Sequence, residues 1–124
     1  MEPVTAPAAP QNVSLSVDNN KYKYSAGGHD PMHEKFTHHF VVGGKITWQS
    51  NQRVQIEFPS GKICPFVNAD GTTWAGNKAI FPGQAAILNP NFSRDLYYVP
   101  VKYTVSLPDS PNTHPHDPEV IIVD

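Results

Sequence analysis

At 124 residues the chain is the size of one domain, long enough to bury about two-thirds of the surface its unfolded form exposes. With 39% hydrophobic and 16% charged residues it is too apolar for whole-chain disorder. A net charge of −2, with nine Lys and Arg scattered singly, leaves no basic stripe for nucleic acid or an anionic membrane. No apolar run approaches the roughly 20 residues of a membrane span, so the chain reads as soluble: cytoplasmic as it stands, periplasmic or secreted where a leader has been removed. The single cysteine, Cys64, excludes an intrachain disulfide, and its neighbours Ile63 and Phe66 mark it as a core residue.

Residues 1–11 are rich in Pro and Ala with almost no bulky side chains, and are expected to form a flexible tail before a single domain over 12–124. Val13, Leu15 and Val17 then alternate with Ser14 and Ser16, which predicts a half-buried strand. After turn chemistry at 18–20, Tyr22 and Tyr24 carry a second strand over 21–25. The polar stretch 26–35, with Gly27, Gly28 and Pro31, reads as a loop. A β-branched and aromatic strand at 36–42 meets a Gly43-Gly44 turn, followed by a strand in which Ile46 and Trp48 share a face. Val54, Ile56 and Phe58 alternate against Gln55 and Glu57, and this strand is expected to pair antiparallel with the one before it.

Residues 59–84, dense in Gly, Pro, Asn and Asp, predict a long excursion with one short strand or helical turn, and 85–88 a further strand. The longest alternation runs over 97–107, where Tyr97, Val99, Val101, Tyr103, Val105 and Leu107 are expected to face one way. Pro100 puts the start of that strand at an edge or bulge. A proline-rich loop over 108–118 leads into the apolar run Val120-Ile121-Ile122-Val123, expected to be covered on both sides. The pattern predicts an all-β Greek-key sandwich of about seven or eight strands.

Gly44-Lys45-Ile46-Thr47-Trp48-Gln49-Ser50-Asn51, the strand ending at Phe58, Tyr103-Thr104-Val105 and the apolar run near the end together resemble the cupredoxin (plastocyanin-type) β-sandwich family over most of 13–124. That resemblance implies a cupredoxin-like fold. It also places the family's first copper histidine on Val54 and its copper cysteine on Val105, neither of which binds a metal, and residues 106–111 lack the following His and Met. A type 1 copper centre is therefore not expected.

All six histidines fall in two clusters, His29, His33, His38 and His39, then His114 and His116. Imidazole suits copper and zinc, which makes His29, His33, His38, His114 and His116 candidate ligands for either ion, against the simpler reading of solvated loop histidines. On a regular strand His38 and His39 point to opposite faces. The chain has no nucleophile elbow and no phosphate loop, so neither catalytic residues nor enzymatic activity is expected. Trp48, in phase with Ile46, reads as core, whereas Trp74 and Tyr98 are candidates for an exposed binding surface. The resulting expectation is a monomeric, non-catalytic binding or accessory module for a protein or carbohydrate partner, without a cofactor. The alternative is a copper- or zinc-binding protein that uses the histidine-rich loops.

Overall fold

A computed structural model of the chain describes residues 11–18, 21–26, 36–110 and 115–124. Residues 1–10 of the expected tail and most of the loop at 26–35 lie outside them. Among the described residues the fold is all-β, with two short 3-10 turns and no α-helix. No helix among them is long and apolar enough to cross a membrane.

The strands are β1 (Gln11–Asp18), β2 (Lys21–Ala26), β3 (Thr37–Val41), β4 (Lys45–Ser50), β5 (Val54–Glu57), β6 (Phe66–Asn68), β7 (Lys78–Phe81), β8 (Ala86–Leu88), β9 (Val101–Lys102), β10 (Thr104–Ser106) and β11 (Glu119–Val123). They form a five-stranded sheet in the order β2-β1-β4-β8-β6 and two three-stranded sheets, β10-β5-β7 and β3-β11-β9. The pairs β1·β4 and β3·β11 are parallel and the others antiparallel. The two smaller sheets are joined by the 101–106 run, where Tyr103 N–H donates to Pro118 O and Val105 exchanges backbone hydrogen bonds with His116.

The alternation that predicts the strands decides what each sheet buries. Val13 and Leu15 of β1, His38 and Phe40 of β3, Ile46 and Trp48 of β4, Val54 and Ile56 of β5, and Val120 and Ile122 of β11 all turn inward, while their neighbours are exposed or half-buried. Rings from different sheets then meet across the interior. Trp48 lies 4.9 Å from Phe81 of β7 and 5.7 Å from Tyr103, and Phe40 lies 5.1 Å from Phe66 of β6. Sheets facing one another through a single aromatic core are consistent with the expected β-sandwich.

Five sequence expectations change. The first is the number of strands: the described residues hold eleven, not seven or eight. The strand at 45–50 does not pair with the one at 54–57, and the Gly43 turn does not close a hairpin: β3, β4 and β5 each enter a different sheet. Short connections carry the chain from one layer to another, because inward faces on successive strands are buried just as well across the core as side by side. Residues 59–84 hold two strands, β6 and β7, and a 3-10 turn at Ala75–Asn77 rather than a single element. Their apolar residues are irregularly spaced because Phe66, Trp74 and Phe81 reach the core from three separate pieces.

The strand expected from 97 starts only at Val101. Residues Arg94–Leu96 form a 3-10 turn capped by Ser93 Oγ, Tyr98 takes a left-handed φ of 66°, and Pro100 offers no N–H. Val99 accordingly stays exposed, while Tyr103, Val105 and Leu107 keep the expected inward phase. In β11, Val120 and Ile122 are buried but Ile121 and Val123 only half-buried, so its cover is one-sided.

Candidate functional site

The histidines are placed very differently from one another. His38 is 4% exposed. It stacks on Phe36 at 5.4 Å and meets the rings of Trp48 and Tyr103 edge-on. Its Nε2 lies 2.8 Å from the Tyr103 hydroxyl, which also accepts from Trp48 Nε1 at 3.2 Å. A phenol has one proton to give, so every partner is satisfied when Tyr103 accepts from Trp48 and donates to a neutral His38. Burial, helped by the nearby His39, brings the His38 pKa down to about 3, and burial pushes the Tyr103 hydroxyl up. His38 therefore completes a buried polar chain. His39 is exposed on the opposite face, and His116 is held by backbone pairing to Val105.

His29, His33 and His114 lie outside the described residues, and among those described no three His, Cys, Asp or Glu side chains converge on one metal position. Val54 and Val105, where the cupredoxin resemblance puts copper ligands, are buried core residues. Trp74 is no part of a surface: it is 5% exposed, packed among Trp48, Phe58, Phe66 and Phe81, with no acceptor for its indole N–H among the described residues. Tyr98, in contrast, is 60% exposed.

Tyr98 does not line the groove of about 620 Å³ that opens on the surface between two neighbouring segments. One wall is the 58–65 segment, presenting Pro59, Lys62, Ile63 and Pro65; the other is the 92–102 segment, presenting Leu96, Pro100 and Val101. Phe58, Phe92, Lys102 and Glu119 also line it. A recess of about 400 Å³ bordered by Glu57, Thr104 and Asp117 shares Phe58, Pro59 and Lys102 with it. Ile63 is 52% exposed and Leu96 43%, so large apolar side chains face solvent from both walls.

Side-chain amides hold the walls in place. The Asn77 amide donates to the carbonyls of Pro59 and Lys62, both at 3.0 Å, from a left-handed backbone that asparagine tolerates well. Asn89, only 8% exposed, ties the two walls together. Its Nδ2 donates to Cys64 O at 2.9 Å and its backbone N–H to Pro65 O, while its Oδ1 accepts from Asn91 N–H and its own carbonyl from Phe92 N–H. Farther along, Tyr98 N–H donates to Ile122 O, the Tyr98 hydroxyl donates to Asp124, and Arg94 pairs with Asp124 at 2.6 Å. Arg94 also covers Tyr97, which stacks on Phe92.

Sequence reading anticipates the exposure of Tyr98, which does not line the groove, and misses Ile63, Leu96, Asn77 and Asn89. The two asparagines sit among turn residues, where Asn is common for local reasons, and nothing in their spacing signals that they reach 15 to 25 residues along the chain.

Cys64, within the first wall, is buried, and desolvation pushes its thiol up to about 11. At pH 8 a thiol reagent is expected to label the folded chain at least about a hundredfold more slowly than the urea-unfolded chain, since both thiolate fraction and access are reduced. Equal labelling rates would contradict this burial. No protein-family model, curated protein or solved structure matches the chain, so the groove is read from its own residues.

Proposed function

We propose that the chain is a non-catalytic binding or accessory module on a Greek-key, cupredoxin-like β-sandwich without a type 1 copper centre, and that the groove between 58–65 and 92–102 is its binding face. Support for the scaffold comes from sheets that face one another across one aromatic core, as the layers of a β-sandwich do. The apolar Val54 and Val105 in the core support the copperless form.

The observation that carries the binding reading is that rigid walls present exposed apolar side chains. Asn77 and Asn89 fix the backbone on either side of Ile63, and Asn89 also holds the start of the second wall through Asn91 and Phe92, so a ligand need not order these parts of the groove on arrival. Its volume lies in the range of ligand sites, roughly 300–1,000 Å³. The ionisable side chains lining it are Lys62, Lys102 and Glu119, and the Glu119 carboxylate already accepts from Thr37 Oγ1. That set contains no nucleophile with an adjacent base, which supports binding over catalysis. A lining dominated by proline and aliphatic carbon favours a protein partner over a carbohydrate, whose hydroxyls need more donors and acceptors than these walls carry.

An NMR screen of small aliphatic and aromatic fragments against the ¹⁵N-labelled chain tests this reading. Hits are expected to shift the amides of Ile63, Leu96 and Val101 together and to disappear in Leu96→Asp. Fragments that bind only elsewhere, or not at all, would remove the groove as the binding face.

A further inference from the structure

Independently of the groove, we infer that Tyr103 and His38 form a redox couple: an outer-sphere one-electron oxidant takes an electron from the Tyr103 ring while the hydroxyl proton moves to His38 Nε2, leaving a neutral tyrosyl radical in the core. One O–H bond breaks, one N–H bond forms and one electron leaves. Re-reduction by one electron returns the proton to the phenoxyl oxygen. An oxidised phenol must shed its proton, and in an apolar interior no bulk water takes it. His38 Nε2 is already in place as the acceptor, 2.8 Å from the Tyr103 hydroxyl in a position 4% exposed. Burial brings this imidazole down to about 3, which makes it a weak base, yet a phenol that has lost an electron is a far stronger acid than an imidazolium. The same weakness sends the proton back once the electron returns.

The neighbouring rings are oxidisable too, and their hydrogen bonds decide where the oxidising equivalent settles. Trp74, 5% exposed, lies 6.3 Å from Trp48 between ring centroids, and Trp48 lies 5.7 Å from Tyr103. Rings at these separations are in contact, so an electron crosses from Tyr103 towards the surface in short steps. Trp74 Nε1 has no acceptor among the described residues, and Trp48 Nε1 donates to the Tyr103 hydroxyl, a far weaker base than imidazole. Neither indole has a base for its proton, so each relays the oxidising equivalent, whereas Tyr103 keeps it. The Trp48 N–H then stays on the phenoxyl oxygen as a donor. Tyr98 also has an acceptor, Asp124, but its ring is 60% exposed and a radical there is quenched from solution.

The test oxidises the full chain with photogenerated ruthenium(III) tris-bipyridine and follows the tyrosyl absorption band and the electron paramagnetic resonance spectrum. A tyrosyl radical is expected whose oxygen is coupled to exchangeable protons at fixed hydrogen-bond distance, with those couplings lost in heavy water. In His38→Gln the amide oxygen still accepts the hydrogen bond but cannot hold the proton. There the tyrosyl radical is expected to form at least about tenfold more slowly, with an indole radical accumulating instead. Tyr98→Phe is expected to leave the native signal intact and Tyr103→Phe to abolish it, each variant being checked for native circular dichroism. An indole radical alone in the native chain, a tyrosyl signal that survives Tyr103→Phe at full strength, or unchanged formation in His38→Gln would overturn the couple. If Tyr103→Phe does not fold, the exchangeable couplings of the native radical and the His38→Gln comparison decide.

Discussion

Below about pH 6.5 the chain is expected to lose stability by about 1.4 kcal/mol per pH unit through His38 alone, until the pH nears 3. His38 is buried and neutral beside Tyr103 and Trp48, with its pKa brought from 6.5 to about 3, whereas in the unfolded chain it returns to the ordinary value. Between those two values the unfolded state binds the extra proton, so stability rises with pH in this window. It is fully present above 6.5 and drains away as the pH falls. Integrated over the window, the loss is on the order of 4 to 5 kcal/mol, a large part of the stability of a small domain.

The measurement is urea unfolding of the native chain and of His38→Phe at pH 8, 6.5, 5 and 4. At pH 8 the variant is expected to be less stable by about 1 to 3 kcal/mol, because the buried Tyr103 hydroxyl loses its acceptor. That deficit is expected to shrink on acidification and to reverse near or below pH 5, where unfolding lets His38 take up a proton that it refuses in the folded chain, a gain the variant does not have. The carboxyls of Asp70, Asp109 and Asp124, held low by hydrogen bonds from Thr72, Arg53 and Tyr98, also weaken the fold in acid, but equally in both proteins, so the difference isolates His38. Parallel pH profiles would show that His38 is not the neutral, desolvated group described here. Tyr103→Phe supplies a second reading of the same cluster. It strands both His38 Nε2 and Trp48 Nε1, with an expected loss of about 2 to 4 kcal/mol at pH 8.

The second large effect is expected at Asn89. Truncation in Asn89→Ala leaves the Cys64 carbonyl without its donor and Asn91 N–H without its acceptor, in a position 8% exposed. A loss of about 2 to 3 kcal/mol is expected, together with faster hydrogen exchange at Leu96 and other amides of the groove walls. Asn89→Asp separates the two roles: the carboxylate can still accept from Asn91 but cannot donate to Cys64 O, and it places a charge beside a buried carbonyl. It is expected to be the more damaging change at pH 7 and to recover part of its stability near pH 4, when protonation restores a donor. A difference under about 0.5 kcal/mol for Asn89→Ala, with unchanged exchange in both walls, would remove Asn89 as the tie between them.

These two clusters mark where sequence reading stops. Strand positions follow from side-chain period: the inward sets at Val13 and Leu15, Ile46 and Trp48, Val54 and Ile56, and Val105 and Leu107 are visible as alternation and are buried as that alternation predicts. The same period places His38 and His39 on opposite faces. It does not reveal that His38 faces inward, because a histidine on a strand is readily taken for a solvated residue, and only Tyr103, 65 residues away, gives its Nε2 a buried partner. Over 97–100 the alternation misleads, since Tyr98 in a left-handed conformation and Pro100 without an N–H interrupt a run that looks continuous.

By itself, then, the amino-acid sequence determined an all-β chain with one aromatic core, one buried thiol and no basic footprint, because these depend on composition and on a period of two read over short windows. Tertiary structure alone decided which strands share a sheet, that Trp74 is interior while Ile63 and Leu96 face water, and that two asparagines in ordinary turns hold a groove open. The physical reason is range. Strand phase is set by neighbours two residues apart, whereas pairing, burial across layers and the carbonyl each amide finds depend on contacts between segments tens of residues apart, which local spacing does not encode.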